Sequence, residues 1–374
     1  MTPSKKIRVA VLYGGRSGEH EVSLASATNV IQQLDRTRFD VVPIGIDKQG
    51  VWFLGDDTLR LSRDAERMLF KPDSIGQALQ CVQPTQLLSQ TKKSERIFDV
   101  IFPVIHGTLC EDGTVQGLLE LADVPYVGCG VLSSAIGMEK DISKRLVQAA
   151  GIKVPTYRVI NRGQWEKNPV QFSEQIANEI GFPVFVKPAN TGSSVGVEKV
   201  KRAEDLTSAI RNAFRYDTKI IVEQGIDAIE LELAVLESQE YGSDPQVSVV
   251  GEVRPSHEFY SYAAKYLDEK GAELLIPAPI SPELQLRAQD IAKNIFNVLQ
   301  CEGMARVDLF LERHTNEIYF NEVNTIPGFT QISMYPKLMN ASGVSYSALL
   351  THLVMLAVAR HERKSQLSRE YLSV

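Results

Sequence analysis

Arg306-Val-Asp-Leu-Phe-Leu-Glu-Arg-His-Thr-Asn-Glu-Ile-Tyr-Phe-Asn-Glu-Val-Asn-Thr-Ile-Pro-Gly328 reads as two extended arms around a polar break. Both arms alternate apolar and polar residues at period two and are rich in Val, Ile, Phe and Tyr, which predicts a β-hairpin with His314-Thr-Asn316 as a three-residue loop. That loop length sets Asp308 opposite Glu322 and Arg306 opposite Asn324, all on one side of the ribbon, with facing Cβ atoms about 5 Å apart. Two carboxylates and an amide oxygen are hard donors of the kind Mg²⁺ takes when nucleotide phosphates complete its shell. A solvated acidic face fits the same residues, so the rest of the chain has to decide.

With 374 residues the chain has room for two or three domains. Apolar and charged fractions of 44% and 23% are those of an ordinary globular protein. A formal net charge of −6 and a pI near 5.7 argue against nucleic acid or an anionic membrane as the main partner, so any phosphate site is local. The N-terminus is too short and too charged before Gly14-Gly15 for a signal peptide, which predicts a cytoplasmic protein. Cys81, Cys110, Cys129 and Cys301 have neither paired nor metal-ligand spacing, and suggest neither a disulfide framework nor a zinc site.

Outward from the hairpin, strand and helix signals alternate over the first third: strands Ile7 to Tyr13, Phe39 to Ile46 and Asp99 to Val104, with helices Ser23 to Leu34 and Thr114 to Ala122 between and after them. This predicts a parallel sheet covered by helices. Residues 55–96 carry no placeable pattern. A helix Lys140 to Ala150 stopped at Gly151 opens a middle segment of strands near 154–160, 184–186, 197–200 and 219–223. The last third carries long strands (Leu231 to Leu236, Val247 to Val253), a helix Pro282 to Gln300, the hairpin and a helix Tyr346 to Arg363. Boundaries near Gly137 and Ala228 divide the chain into units 1–137, 138–228 and 229–374.

Four further segments carry chemistry. Lys187-Pro-Ala-Asn-Thr-Gly192-Ser193-Ser194-Val-Gly196 is a loop between strands whose glycines let backbone N–H groups approach a ligand, a phosphate cradle or a plain turn. Gly14-Gly-Arg-Ser-Gly-Glu19-His-Glu-Val-Ser23 follows the first strand, where open α/β sheets bind ligands, and Glu19 there can hold an ammonium group. His106-Gly-Thr-Leu-Cys-Glu111-Asp-Gly113 leaves another strand end, and Tyr260 to Gly271 has the composition of a charged lid.

These segments, with Ala-Lys265-Tyr266, Met-Ala-Arg306-Val-Asp308 and Asn-Glu322-Val-Asn324-Thr-Ile-Pro-Gly328-Phe-Thr, resemble in order, over nearly the whole chain, the D-alanyl-D-alanine ligases of the ATP-grasp superfamily. The resemblance implies an α/β (α+β) ATP-grasp fold with an N-terminal Rossmann-like domain. It also implies ATP-dependent joining of two D-alanines through an acyl phosphate for peptidoglycan synthesis, in a cytoplasmic homodimer. By the same resemblance Asp308, Glu322 and Asn324 hold two Mg²⁺ or Mn²⁺ ions, and a monovalent cation is a further candidate. Arg306 and the Gly328 N–H stabilise the oxyanion. Lys140, Lys187, Gly192, Ser193, Ser194, Gly196, Glu223, Gln224, Glu230 and Lys265 serve ATP. Glu19 takes the first D-alanine ammonium, Ser193 and Tyr266 tie it to the lid, and Lys265 and Ser333 neutralise the second carboxylate, with His106 nearby. Ala228-Ile229 stands where relatives often have Gly-Arg, and Gln224 where some have lysine. A D-alanine:D-lactate ligase shares most motifs but carries histidine where Tyr266 stands. A non-catalytic nucleotide-binding protein should have lost a metal ligand or the arginine, and a dehydrogenase lacks its glycine fingerprint here.

Overall fold

In the computed structural model, residues 5–54, 80–84, 96–255 and 272–370 are described. Three sheets follow one another along the chain. The first has strand order β4-β3-β2-β1-β5, with β1 Ile7–Gly14, β2 Phe39–Ile46, β3 Trp52–Leu54, β4 Gln80–Val82 and β5 Val100–Val104. β1 pairs in parallel with β2 and β5, as the βαβ alternation predicts, but β3 and β4 add antiparallel at one edge. The parallel sheet expected from the alternation is the β2-β1-β5 part; the two added strands are only three residues long and come from, or border, the stretch without periodicity. β1 and β5 are near-continuous apolar runs buried on both faces, the signature of strands covered by helices.

The second sheet is antiparallel, β6-β9-β7-β8, formed by Tyr157–Asn161 (β6), Val184–Pro188 (β7), Glu198–Val200 (β8) and Lys219–Gln224 (β9). The third is β13-β12-β10-β14-β15, formed by Ala228–Leu236 (β10), Gly251–Pro255 (β12), Ala272–Leu275 (β13), Met304–Glu312 (β14) and Ile318–Asn324 (β15), with Gln246–Val247 (β11) also on β10. The single strand expected over Val247 to Val253 is two. Val249 N donates to Ser342 Oγ at 2.9 Å and Val250 O accepts from Ala278 N at 2.7 Å, so backbone groups that would continue the ladder are taken by other elements.

The hairpin differs from expectation in a way that cancels. Glu312 N donates to Glu317 O at 2.9 Å, leaving Arg313-His-Thr-Asn316 as a four-residue turn with Asn316 left-handed at φ +58°. The extra residue at the tip is offset by a β-bulge at Asn321, because Leu309 pairs with Phe320 whereas Asp308 pairs with Glu322. Beyond the bulge the pairs Asp308–Glu322 and Arg306–Asn324 stand as the alternation predicts.

One face of the third sheet is apolar at one end, where Ala234, Leu236, Val253 and Met304 share a core with helix Met334–Ala341, and turns polar at Glu232, Arg306 and Asp308. Helix Val131–Met138, absent from the sequence reading, packs on the hairpin through Gly137: a Cβ there would lie 3.0 Å from Thr325 Cγ2 and 3.2 Å from Val323 Cγ1. The boundary read near Gly137 thus falls in the last turn of a helix. Among the described residues no single helix is long and apolar enough to cross a membrane.

Candidate active site

β10, β14 and β15 lie side by side, and register puts Glu232, Asp308 and Glu322 in one row, with Ala234, Arg306 and Asn324 in the next. Arg306 donates from Nε and Nη2 to the two oxygens of Asp308, both at 2.7 Å, and its Nε lies 3.2 Å from Glu232 Oε2. Burial alone would pull the guanidinium pKa down, but Asp308 and Glu232 outweigh it and hold Arg306 charged. Asn324 Oδ1 accepts from Ile326 N at 3.1 Å, turning the chain from the end of β15 towards Gly328. Gly328 lies close to Ser333: a Cβ would sit 2.7 Å from Ser333 Oγ, which accepts from Thr330 N at 3.0 Å, so a side chain there would displace that hydroxyl.

Three lysines converge behind this row. Lys140 opens helix Lys140–Ala149 and donates from Nζ to Thr191 O at 2.5 Å, with Glu322 Oε2 at 3.9 Å; burial pushes its pKa down. Lys187, on β7, reaches Glu223 Oε1 at 3.3 Å and Asn321 Oδ1 at 3.5 Å. Lys144, which sequence reasoning missed, is fully buried: Nζ lies 3.2 Å from Glu223 Oε2 and donates to Asn321 O at 2.9 Å, a carbonyl of the bulge. Burial lowers the Lys144 pKa to about 8, against the pull of Glu223. Burial would raise the Glu223 carboxyl, but Lys144 and Lys187 keep it below its ordinary value. The signal for Lys144 was available, since it is one helical turn from Lys140. Glu232 was missed in the same way, two residues from Glu230 on a strand and so on the same face.

The glycine loop folds over this cluster. Ser193 and Ser194 are both left-handed, at φ +50° and +58°, and Gly196 at φ +72° allows the loop to close on Tyr216, whose Cδ2 would be 2.5 Å from a Cβ. Ser193 Oγ donates to Glu19 Oε1, so residues 174 positions apart meet. Glu19 is buried at the start of helix His20–Gln33, and Gly107 and Gly192 leave it space: their Cβ atoms would lie 2.7 Å and 3.3 Å from Glu19 Oε2. Gln224 is exposed at the end of β9, and Glu230 is half-buried on β10 opposite Phe310. Lys265 and Tyr266 lie outside the described residues.

His106 is buried with both ring nitrogens engaged. Nδ1 is 3.0 Å from Ile326 O and 3.3 Å from Glu111 Oε1, and because a carbonyl can only accept, Nδ1 carries a proton. Nε2 is 3.2 Å from Ser26 Oγ, which also accepts from Phe329 N at 3.2 Å. His106 and Ser26 therefore pin the 325–329 turn to the first sheet's helix. Burial pushes Glu111 up to about 7 despite the imidazole, with Glu19 adding to the rise. Burial works against the His106 charge, but the Glu111 hydrogen bond and charge raise its pKa.

Whether the row can hold a divalent metal is a question of donors. Among the described residues no three of His, Cys, Asp and Glu cluster closely enough to bind one unaided. Asp308 and Glu322 face each other, however, Asn324 supplies an amide oxygen at the next register position, and Lys140 Nζ lies 3.9 Å from Glu322 Oε2, so these oxygen donors beside a lysine fit a cation that shares ligands with a nucleotide.

Two family profiles match this chain: "D-ala D-ala ligase N-terminus" over residues 8–129 and "D-ala D-ala ligase C-terminus" over 146–355. It is 50% identical to "D-alanine--D-alanine ligase A" of Bradyrhizobium diazoefficiens, over 98% of this chain and 99% of the relative. It is 47% identical to the "D-alanine--D-alanine ligase" of Caldicellulosiruptor bescii, over 97% and 98%. Among solved structures, the VanG D-Ala:D-Ser ligase of Enterococcus faecalis superposes with a TM-score of 0.81 at 38% identity, covering 94% of this chain and 100% of that one. The D-alanine-D-alanine ligase of Coxiella burnetii gives 0.74 at 33%, covering 97% of each.

Proposed function

Because the chain belongs to the D-alanine–D-alanine ligase family, we propose that the face built on Arg306, Asp308, Glu322 and Asn324 is its catalytic centre. The protein is an ATP-dependent ligase with the ATP-grasp fold. It joins two D-alanines to D-alanyl-D-alanine through an acyl phosphate, a step of peptidoglycan precursor and hence cell-wall synthesis. Ligases of this family use ATP and a divalent metal.

The residue assignments are our reading. Asp308, Glu322 and Asn324 hold Mg²⁺ or Mn²⁺, two ions when loaded. Bound there, the metal would supply positive charge to the transferring phosphoryl group. Lys140, Lys187 and the 192–196 loop bind the phosphates of ATP, while Glu223, Gln224 and Glu230 line the nucleoside side. Glu19, held by Ser193, receives the ammonium of the first D-alanine; Tyr266 and Lys265 complete the lid. Arg306 and the N–H of Gly328 receive the charge that develops on the carbonyl oxygen when the second amine attacks, and donors fixed beforehand are what make such stabilisation large. Ser333, with Lys265, meets the second carboxylate, with His106 near it. The observation that carries this reading is the row Asp308–Glu322 with Arg306–Asn324 beside it, one register step away.

The division into units 1–137, 138–228 and 229–374 is supported by three sheets whose strands do not interleave in sequence. A cytoplasmic homodimer follows the same family reading. The test is phosphate release from Mg-ATP with D-alanine alone and with D-lactate added, products identified by mass. D-alanine-dependent release with dipeptide as product is the expected result; depsipeptide as the main product would overturn the choice of second substrate, and no turnover would overturn the catalytic reading.

A further inference from the structure

Glu232 has no part in the assignments above, yet it stands in the same row as Asp308 and Glu322. Adjacent strands are about 4.8 Å apart, so Glu232 and Glu322, on the two strands flanking β14, are separated by roughly 10 Å. Of the three carboxylates in the row, Glu232 is the one that does not flank a cation held between Asp308 and Glu322. What Glu232 does reach is Arg306, at 3.2 Å, and Arg306 in turn occupies both oxygens of Asp308 at 2.7 Å.

That arrangement poses a conflict. A carboxylate clamped by a guanidinium fork has its best lone pairs taken, and a second cation beside the first is repelled. If Asp308 is to turn those lone pairs to a metal, Arg306 has to let go of them while staying on the same face to meet the oxyanion. We propose that Glu232 is a positioning residue that keeps Arg306 in place when Asp308 releases it. Glu232 is the alternative anion: it draws the guanidinium towards β10, freeing Asp308 for the metal side, and stops a buried arginine from being left without a carboxylate. This rests on the metal assignment of Asp308 and Glu322.

The experiment measures Mn²⁺ affinity by electron paramagnetic resonance of free Mn²⁺ in the presence of a non-hydrolysable ATP analogue, with thermal melting to confirm folding. Glu232→Gln should weaken Mn²⁺ about tenfold in the otherwise unaltered protein, since Arg306 then competes for Asp308 undivided. In an Arg306→Met background the competitor is gone, and adding Glu232→Gln should change Mn²⁺ affinity less than about twofold, the non-additivity expected of groups that act through one another. Wild-type affinity in the single variant would overturn the proposal. So would an equal loss in both backgrounds, which would make Glu232 a direct contributor to the metal site. Asp308→Asn separates the two levels: it should lose Mn²⁺ binding whether or not Glu232 acts as proposed, and if it binds as wild type the metal assignment falls and the proposal with it.

Discussion

Lys144 Nζ lies 3.2 Å from Glu223 Oε2, and both side chains are 1% exposed. Two opposite charges this deeply buried are costly to desolvate and costly to separate, so removing Lys144 leaves Glu223 with Lys187 as its remaining cation, at 3.3 Å. Lys144→Met should lower unfolding stability by about 3 kcal/mol, on the scale for breaking a buried pair. Denaturant unfolding checks this, and Lys144→Met combined with Glu223→Leu should recover part of the loss. A double variant no more stable than the single would mean that Lys144 acts mainly through the bulge carbonyls.

The His106–Glu111 pair makes stability pH-dependent. Glu111 titrates near 7 in the folded protein but near its ordinary value of 4.5 when unfolded. Between those values the folded state holds a proton that the unfolded chain has released, so stability falls as pH rises. His106, whose pKa is raised from 6.5, acts in the same direction: its contribution is complete below 6.5 and is lost as pH passes its folded value. Melting temperature followed from pH 4.5 to 8 should therefore decline more steeply in wild type than in Glu111→Gln; parallel curves would remove the pair from the account.

Arg306→Ala and Glu322→Ala should each lower kcat by at least about a hundredfold, the usual scale for losing an oxyanion donor or disabling a metal site. Steady-state kinetics on folded protein decides, and near wild-type turnover in either would refute its role.

Gly107→Ala introduces a Cβ 2.7 Å from Glu19 Oε2 at a residue with φ +82°. It should raise KM for the first D-alanine about tenfold and KM for ATP by less, because Glu19 is displaced directly and the ATP loop only through its Ser193 hydrogen bond. A matched rise in both constants would place the damage elsewhere.

Legibility followed local physics. The strands of the active face were readable because one side of each is buried and the other polar, so alternation marks both the element and its facing residues. Helix Met334–Ala341 was hidden by Pro336, which normally signals a break but is tolerated in a first turn, where its missing N–H has no helical partner to lose. Helix Val131–Met138 was hidden by Ser133, Ser134 and Gly137, weak helix formers that owe their conformation to packing on the hairpin. Glu232 and Lys144 could be placed on the right faces from spacing alone, but only three-dimensional partners give them roles. The four-residue turn and the Asn321 bulge were invisible because each shifts register by one and the two cancel.

That cancellation separates the tip of the hairpin from its business end. The ladder beyond Asn321 is keyed by the bulge and by the Lys144 contact to its carbonyl, so residues gained or lost near His314 alter an exposed loop and leave the phase of Asp308 against Glu322 untouched. The tip can change in length while the half of the ribbon that carries Asp308 and Glu322 stays clocked from within.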